Sequence, residues 1–132
     1  MQVRTVRKCL TGGLVALVLA MGCSDPLAPF DPEVTSATDN FQLQASNVTS
    51  MTSTVTYDWA NTGTRATINH STTTTAGTAA IVIRDAAGTV VYTKTLVPSL
   101  NEPTLVGVAG TWKIELTMTN YSGTLNFRAQ KL

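Results

Sequence analysis

Few side chains in this chain could do chemistry, and His70 is the first of them. It is the only histidine, so a Ser-His-Asp relay, or any base that titrates near neutral pH, has to use it. It sits in Thr67-Ile68-Asn69-His70-Ser71, which reads as a strand running into threonines, and no Gly-x-Ser-x-Gly nucleophile elbow occurs anywhere. A histidine on the outer face of a strand is the expectation. The carboxylates Asp39, Asp58, Asp85, Glu102 and Glu115 are scattered singly. No pair has the spacing that sets two on one strand face, as the acid and base of glycoside hydrolysis require. Both thiols, Cys9 and Cys23, lie near the N-terminus, so three zinc ligands drawn from His, Cys and carboxylate are not expected together. Gly107, Gly110 and Gly123 mark turns, because neither a P-loop nor a dinucleotide fingerprint surrounds them. The inventory predicts no enzyme, no metal site and no cofactor.

Binding needs less. Trp59, Tyr92 and Tyr121 are the candidate ligand-contact aromatics, since an exposed ring with a polar tip can stack on a sugar and hydrogen-bond at its edge. The competing use is core filling. Val55, Tyr57 and Trp59 alternate along one strand face, which leaves Asp58 pointing to solvent.

Cys23 closes an apolar leader. Arg4, Arg7 and Lys8 precede a stretch of about a dozen residues from Leu10 to Met21, the size of a signal-peptide core. A spanning helix needs about 20 such residues, and Ser24, Asp25 and Pro26 do not continue it. The segment Leu19-Ala20-Met21-Gly22-Cys23 resembles the lipobox of bacterial lipoproteins, in which signal peptidase II cleaves before a diacylglycerated cysteine. The resemblance implies cleavage after Gly22, lipid on Cys23 and a membrane as partner through that lipid. Ala20 stands where the family usually has Leu. Ala20-x-Gly22 also satisfies the small-residue rule of an ordinary secretory leader, which would leave Cys23 as a free thiol. Ser24 rather than Asp after the cysteine implies a cell-envelope protein, at the outer membrane rather than the inner.

These residues imply three segments: a leader over 1–22, a lipidated cysteine and tether over 23–38, and one domain over 39–132. Pro26, Pro29 and Pro32 favour an extended tether that rises about 3.1 Å per residue; in the alternative, Phe30 packs as part of an edge strand. Setting Arg4, Arg7 and Lys8 aside turns the formal +1 of the chain into −2 for the remainder. That balance argues against nucleic acid as a partner, since phosphate binding needs clustered Lys and Arg. With no thiol after Cys23, the domain has to hold by packing alone.

From Asp39 onward the pattern has period two, with turn signals every 8–12 residues, and it predicts an all-β, antiparallel β-sandwich of about seven or eight strands, jelly-roll or immunoglobulin-like. Strands are expected near residues 41–48, 54–60, 65–71, 79–84, 89–96, 104–108, 112–119 and 124–130. The threonine run Ser71–Thr75 reads as a mobile loop. Asp85-Ala86-Ala87-Gly88 reads as a hairpin turn closed by a left-handed glycine. A second hairpin is expected to set Trp112, Ile114, Leu116 and Met118 on the core face, opposite a return strand carrying Leu125, Phe127 and Ala129.

Gly110-Thr111-Trp112-Lys113-Ile114-Glu115-Leu116, followed by Ser122-Gly123-Thr124-Leu125, is similar to the closing hairpin of bacterial jelly-roll accessory domains of the P-domain and pre-peptidase C-terminal type. Those domains accompany secreted enzymes and do no chemistry themselves. The resemblance implies a small accessory module at the cell envelope, whose partner is an unidentified envelope protein or, alternatively, a glycan at the cell surface.

Overall fold

A computed structural model describes residues 30–132. The leader, Gly22, Cys23 and the tether up to residue 29 lie outside the described residues. The chain forms seven strands: β1 (Glu33–Ala37), β2 (Asn40–Asn61), β3 (Ala66–His70), β4 (Thr73–Arg84), β5 (Val90–Thr95), β6 (Leu100–Pro103) and β7 (Gly110–Lys131). β1 falls within the stretch read as tether. All pairings are antiparallel, so the all-β sandwich expected from the sequence is the fold observed.

The sandwich is one sheet folded over on itself. β7 is the central strand: β2 runs along one edge for its full length, from Asn40↔Gln130 to Asn61↔Gly110. β3 and β4 run end to end along its other edge, from Ala66↔Lys131 to Arg84↔Lys113. Outside them, β5 pairs β4 and β6 pairs β3. A straight 22-residue strand would span about 70 Å, so each long strand has to turn a corner. The turn is made where the ladder slips, between Ala45 and Ser53 in β2 and between Thr74 and Thr78 in β4. Positive φ angles cluster there, at Asn47 (56°), Ser50 (45°), Gly77 (70°), Asn120 (47°) and Gly123 (148°). Bulges of this kind let one strand serve both layers of a sandwich.

The expected second hairpin is therefore corrected. Residues 112–119 and 124–130 are two arms of one bent strand, and so are residues 41–48 and 54–60. The segment Thr104–Val108 is not a strand; the short β6 precedes it. Thr73–Thr75, read as loop, open β4. The facing of the side chains is as expected: Trp112, Ile114, Leu116, Met118, Leu125, Phe127 and Ala129 are each at most 1% exposed. The two arms of β2 meet across the core, where the Phe41 ring lies 5.7 Å from Tyr57 and 6.1 Å from Phe127. Each large side chain buried this way contributes about 1.5–3 kcal/mol.

Folding over gives the molecule two distinct ends. The bends lie at one. The other gathers the loops and the C-terminus: Asp39 N–H donates to Ala60 O (2.8 Å), Thr104 N–H to Ala66 O (2.8 Å), Gly107 N–H to Thr64 O (2.7 Å) and Leu132 N–H to Arg65 O (3.1 Å). At this end the Asp39 carboxylate accepts from the Thr62 N–H (2.7 Å) and pairs with Lys131 (3.2 Å). β1 starts at Glu33, opposite Gln44 next to the bend, and runs to Ala37, opposite Asn40 at the loop end, a rise of about 13 Å.

Candidate functional site

At the loop end two turns abut. The first, Asp85–Thr89, is the tight turn expected, with Asp85 N–H donating to Thr89 O (2.9 Å), Gly88 N–H to Asp85 O (3.0 Å) and Gly88 at φ 87°. The second is the segment Leu105–Ala109, whose side chains point out: Leu105 is 69% exposed, Val106 70% and Val108 53%. Its backbone is held from beneath. Val108 N–H donates to the Asp85 carboxylate (2.9 Å), and Val108 O accepts from the Trp112 indole (2.8 Å) and from Ala86 N–H (3.3 Å). Thr104 is buried and accepts the Ala66 N–H on its hydroxyl (3.1 Å).

Asp85 is the keystone. It is 4% exposed and accepts Ala87 N–H (3.0 Å) and Thr89 N–H (2.8 Å) as well as Val108 N–H. Desolvation pushes its pKa up, but the backbone donors of Thr89, Val108, Ala87 and Gly88 outweigh this and hold the carboxyl below its ordinary 3.8. One buried charge thus locks both turns into a rigid tip.

The tip carries no charge. Neither Ala86–Val90 nor Leu105–Thr111 contains an ionisable side chain. Among the charges nearby three pairs form, Arg84 with Glu115 (3.8 Å), Lys94 with Glu102 (3.1 Å) and Lys113 with Asp58, while the Arg65 guanidinium donates to Thr104 O (3.1 Å) and has no carboxylate partner among the described residues. Asp58 points to solvent as its neighbours' alternation predicts. The tip thus presents exposed apolar side chains on a backbone that is already ordered.

His70 is not on the surface. It continues the inward series Ala66, Ile68, His70 and is 2% exposed, which corrects the surface position expected for it. Nε2 lies 2.9 Å from the Tyr92 hydroxyl, and the ring packs 6.0 Å from Phe127, while Nδ1 has no partner among the described residues. Burial holds the imidazole below its ordinary 6.5; Glu102 opposes and Lys94 adds to this. Burial, with Glu102 beside it, pushes the Tyr92 phenol up, and Lys94 and Tyr92 hold Glu102 down. A neutral imidazole sealed behind a phenol offers no base to a substrate in solvent.

Of the candidate contact aromatics, Trp59 and Tyr121 are fully buried and Tyr92 is 7% exposed. Trp59 stands edge-on to Trp112 at 5.8 Å and donates its indole N–H to Ala37 O (3.1 Å); Tyr121 donates its hydroxyl to Thr73 O (3.0 Å). None offers a ring face on which a sugar could stack. Tyr92 alone borders open space, a cleft of about 270 Å³ between β5 and β6 lined also by Val90, Lys94, Glu102, Pro103 and Leu105. A second hollow, about 330 Å³, lies at the bends and is lined by Asn47, Thr49, Thr73, Thr75, Ser122 and Thr124. Among the described residues, no three His, Cys, Asp or Glu side chains group closely enough to hold a metal ion.

The tip was legible in part: Leu105-Val106-Gly107-Val108-Ala109 has no polar alternation, which a half-exposed strand should show. The inward His70 was legible too, from the spacing of Ala66 and Ile68.

No protein-family model matches the chain, and no curated protein matches it. Among solved structures it is similar to a glycoside hydrolase family 43 arabinoxylan arabinofuranohydrolase from Bacillus subtilis in complex with cellotetraose. That likeness has 15% identity and a TM-score of 0.34, over 73% of this chain and 20% of that one. It is also similar to CsCBM6-3 from Clostridium stercorarium in complex with cellobiose, with 13% identity and a TM-score of 0.33 over 78% of this chain and 88% of that one. The chain thus spans a fifth of the length of the arabinofuranohydrolase chain.

Proposed function

We propose that this protein is a lipid-anchored, non-catalytic module of the bacterial cell envelope that binds a protein partner through its uncharged tip. The observation that carries the reading is the pairing of a pinned backbone with outward Leu105, Val106 and Val108. Apolar side chains on a loop free to move would fold inward or cost entropy to dock; here the ordering is already done by Asp85, Trp112 and Thr104. The anchor rests on Leu19–Cys23 and its likeness to a lipobox, and Ser24 favours the outer membrane. Two acyl chains on a diacylglyceryl group hold a protein at a membrane where one chain does not.

A photocrosslinking residue at position 106, compared with the same residue at Thr56 on the outer sheet face, tests the contact in intact cells. A discrete adduct from 106 and none from 56 is expected, and no adduct from either removes the reading. Labelled palmitate is expected to enter the parent and not Cys23→Ser; equal labelling of both would remove the anchor.

Glycan recognition is a second reading, favoured by one observation: apart from Val48 and Gly123, the hollow at the bends is lined by hydroxyl and amide side chains, and it carries no charge. Binding on a glycan array that Thr73→Val and Ser122→Ala abolish would support it, and a silent array would end it.

A further inference from the structure

We infer that the outer edge of β5 is a docking rail, on which the partner lays an extended peptide segment as an added strand with an apolar side chain in the cleft beside Tyr92. This rests on the reading of the loop end as a protein-contact surface, and it specifies how contact is made.

The backbone of β5 gives the orientation of the edge. Leu96 N–H donates to Ala79 O (2.8 Å), and Lys94 and Tyr92 stand opposite Ile81 and Ile83. Hydrogen-bonded and non-bonded positions alternate along an antiparallel pair. Tyr92, Lys94 and Leu96 therefore turn their backbone toward β4, and Thr93 and Thr95 turn theirs outward. Neither Thr93 nor Thr95 has a backbone or side-chain partner on that side among the described residues. An outer ladder has already begun there: Leu105 N–H donates to Val91 O (2.9 Å), and then the chain leaves for the tip. Thr93 and Thr95 present the next rungs.

The edge that faces β5 is blunted. Thr104 N–H donates to Ala66 O, so the same alternation turns Asn101 and Pro103 of β6 outward, and Pro103 has no N–H to give. β1 at the far side of the sheet is five exposed residues beginning at an acidic side chain, with Asp31 and Glu33 lining the hollow beside it. Among the described strands, only β5 joins outward amides without a described partner to a cleft of about 270 Å³ whose apolar wall is Val90, Tyr92, Pro103 and Leu105. Strand addition uses those two features together: main-chain bonds give affinity, and alternate side chains entering a pocket give selectivity. The Lys94–Glu102 pair bridges the cleft with side chains 45% and 30% exposed. An ion pair that exposed contributes little, so an incoming strand can part it and offer either charge a new partner.

The experiment selects peptides from a library of random nine-residue segments displayed on phage, against the full-length protein in detergent. Enriched peptides with alternating apolar positions are expected. Binding one of them should slow amide exchange at Thr93 and Thr95, and Thr93→Pro should weaken binding at least tenfold while leaving the melting temperature unchanged, because that N–H has no partner among the described residues. Should Thr93→Pro fail to fold, the exchange measurement on the parent decides alone. A library that yields no binder, or binders that leave both amides unprotected, overturns strand addition. Binders abolished by Val106→Asp but indifferent to Thr93→Pro would overturn it while leaving the tip as the contact surface.

Discussion

His70 Nε2 and the Tyr92 hydroxyl lie 2.9 Å apart in the core, joining β3 to β5 beneath the cleft between β5 and β6. A hydrogen bond in that place ties the edge of the sheet to its interior. It also leads to the expectation that the edge is sensitive to acid.

Burial holds the folded His70 below the ordinary 6.5, so between those two values the unfolded chain binds the extra proton. Stability is then full above about pH 6.5 and is lost as pH falls through the folded value. Asp39, Asp85 and Glu102 also lie below their ordinary values of 3.8, 3.8 and 4.5; their losses come at lower pH, which leaves the window from pH 7 to 5 to the histidine. One proton limits the slope to about 1.4 kcal/mol per pH unit. Urea denaturation at pH 7, 6 and 5 should show the parent weakening and His70→Gln staying level. A flat parent, or a Gln variant with the same slope, would assign the acid sensitivity elsewhere.

Trp112 is fully buried, stands edge-on to Trp59 and holds Val108 O with its indole. Trp112→Ala is expected to cost about 3–5 kcal/mol, from the void and the lost ring contact. Equilibrium denaturation measures it. A loss under about 1 kcal/mol would mean that the indole is not the centre of this core.

How far the sequence reaches can be judged at Asn120-Tyr121-Ser122-Gly123. The period-two pattern on either side correctly assigned the core face of every alternating residue from Trp112 to Met118 and from Leu125 to Ala129. The intervening signals, Asn and Gly, report only that the backbone takes positive φ. A chain reversal and a bend within one strand need the same local residues. What separates them is which strand lies alongside, here Thr73↔Thr124 and Thr78↔Thr119 on one continuous neighbour, and no local pattern holds that. The tip is hidden for a related reason: Leu105 and Val106 read as part of a strand over 104–108 until Asp85, twenty residues away, is seen holding the loop outward.

Asp85→Ala removes the acceptor of three backbone donors from two turns at once. Amide exchange at Ala87, Thr89 and Val108 should quicken by roughly tenfold, the loss of about one hydrogen bond at each. Asp85→Asn keeps one acceptor oxygen and should fall between. If Val108 exchanges no faster in the Ala variant, the carboxylate is not what holds the tip.

The corner itself is open to test at two glycines that share a sign of φ but differ in surroundings. A Cβ on Gly123 (φ 148°) would stand 2.1 Å from Thr73 O, a backbone atom of the neighbouring strand that can yield only if β4 leaves β7. A Cβ on Gly88 (φ 87°) would meet nothing within 4 Å. Gly88→Ala therefore carries only the local penalty of a left-handed residue, about 1–2 kcal/mol. Gly123→Ala carries a similar backbone penalty and a collision between strands besides, and should prevent the fold or lower its melting temperature far more. Circular-dichroism melts of the two variants side by side give the comparison. Equal melting temperatures would mean that β4 and β7 do not approach this closely at the corner, and that the sheet turns over by another route.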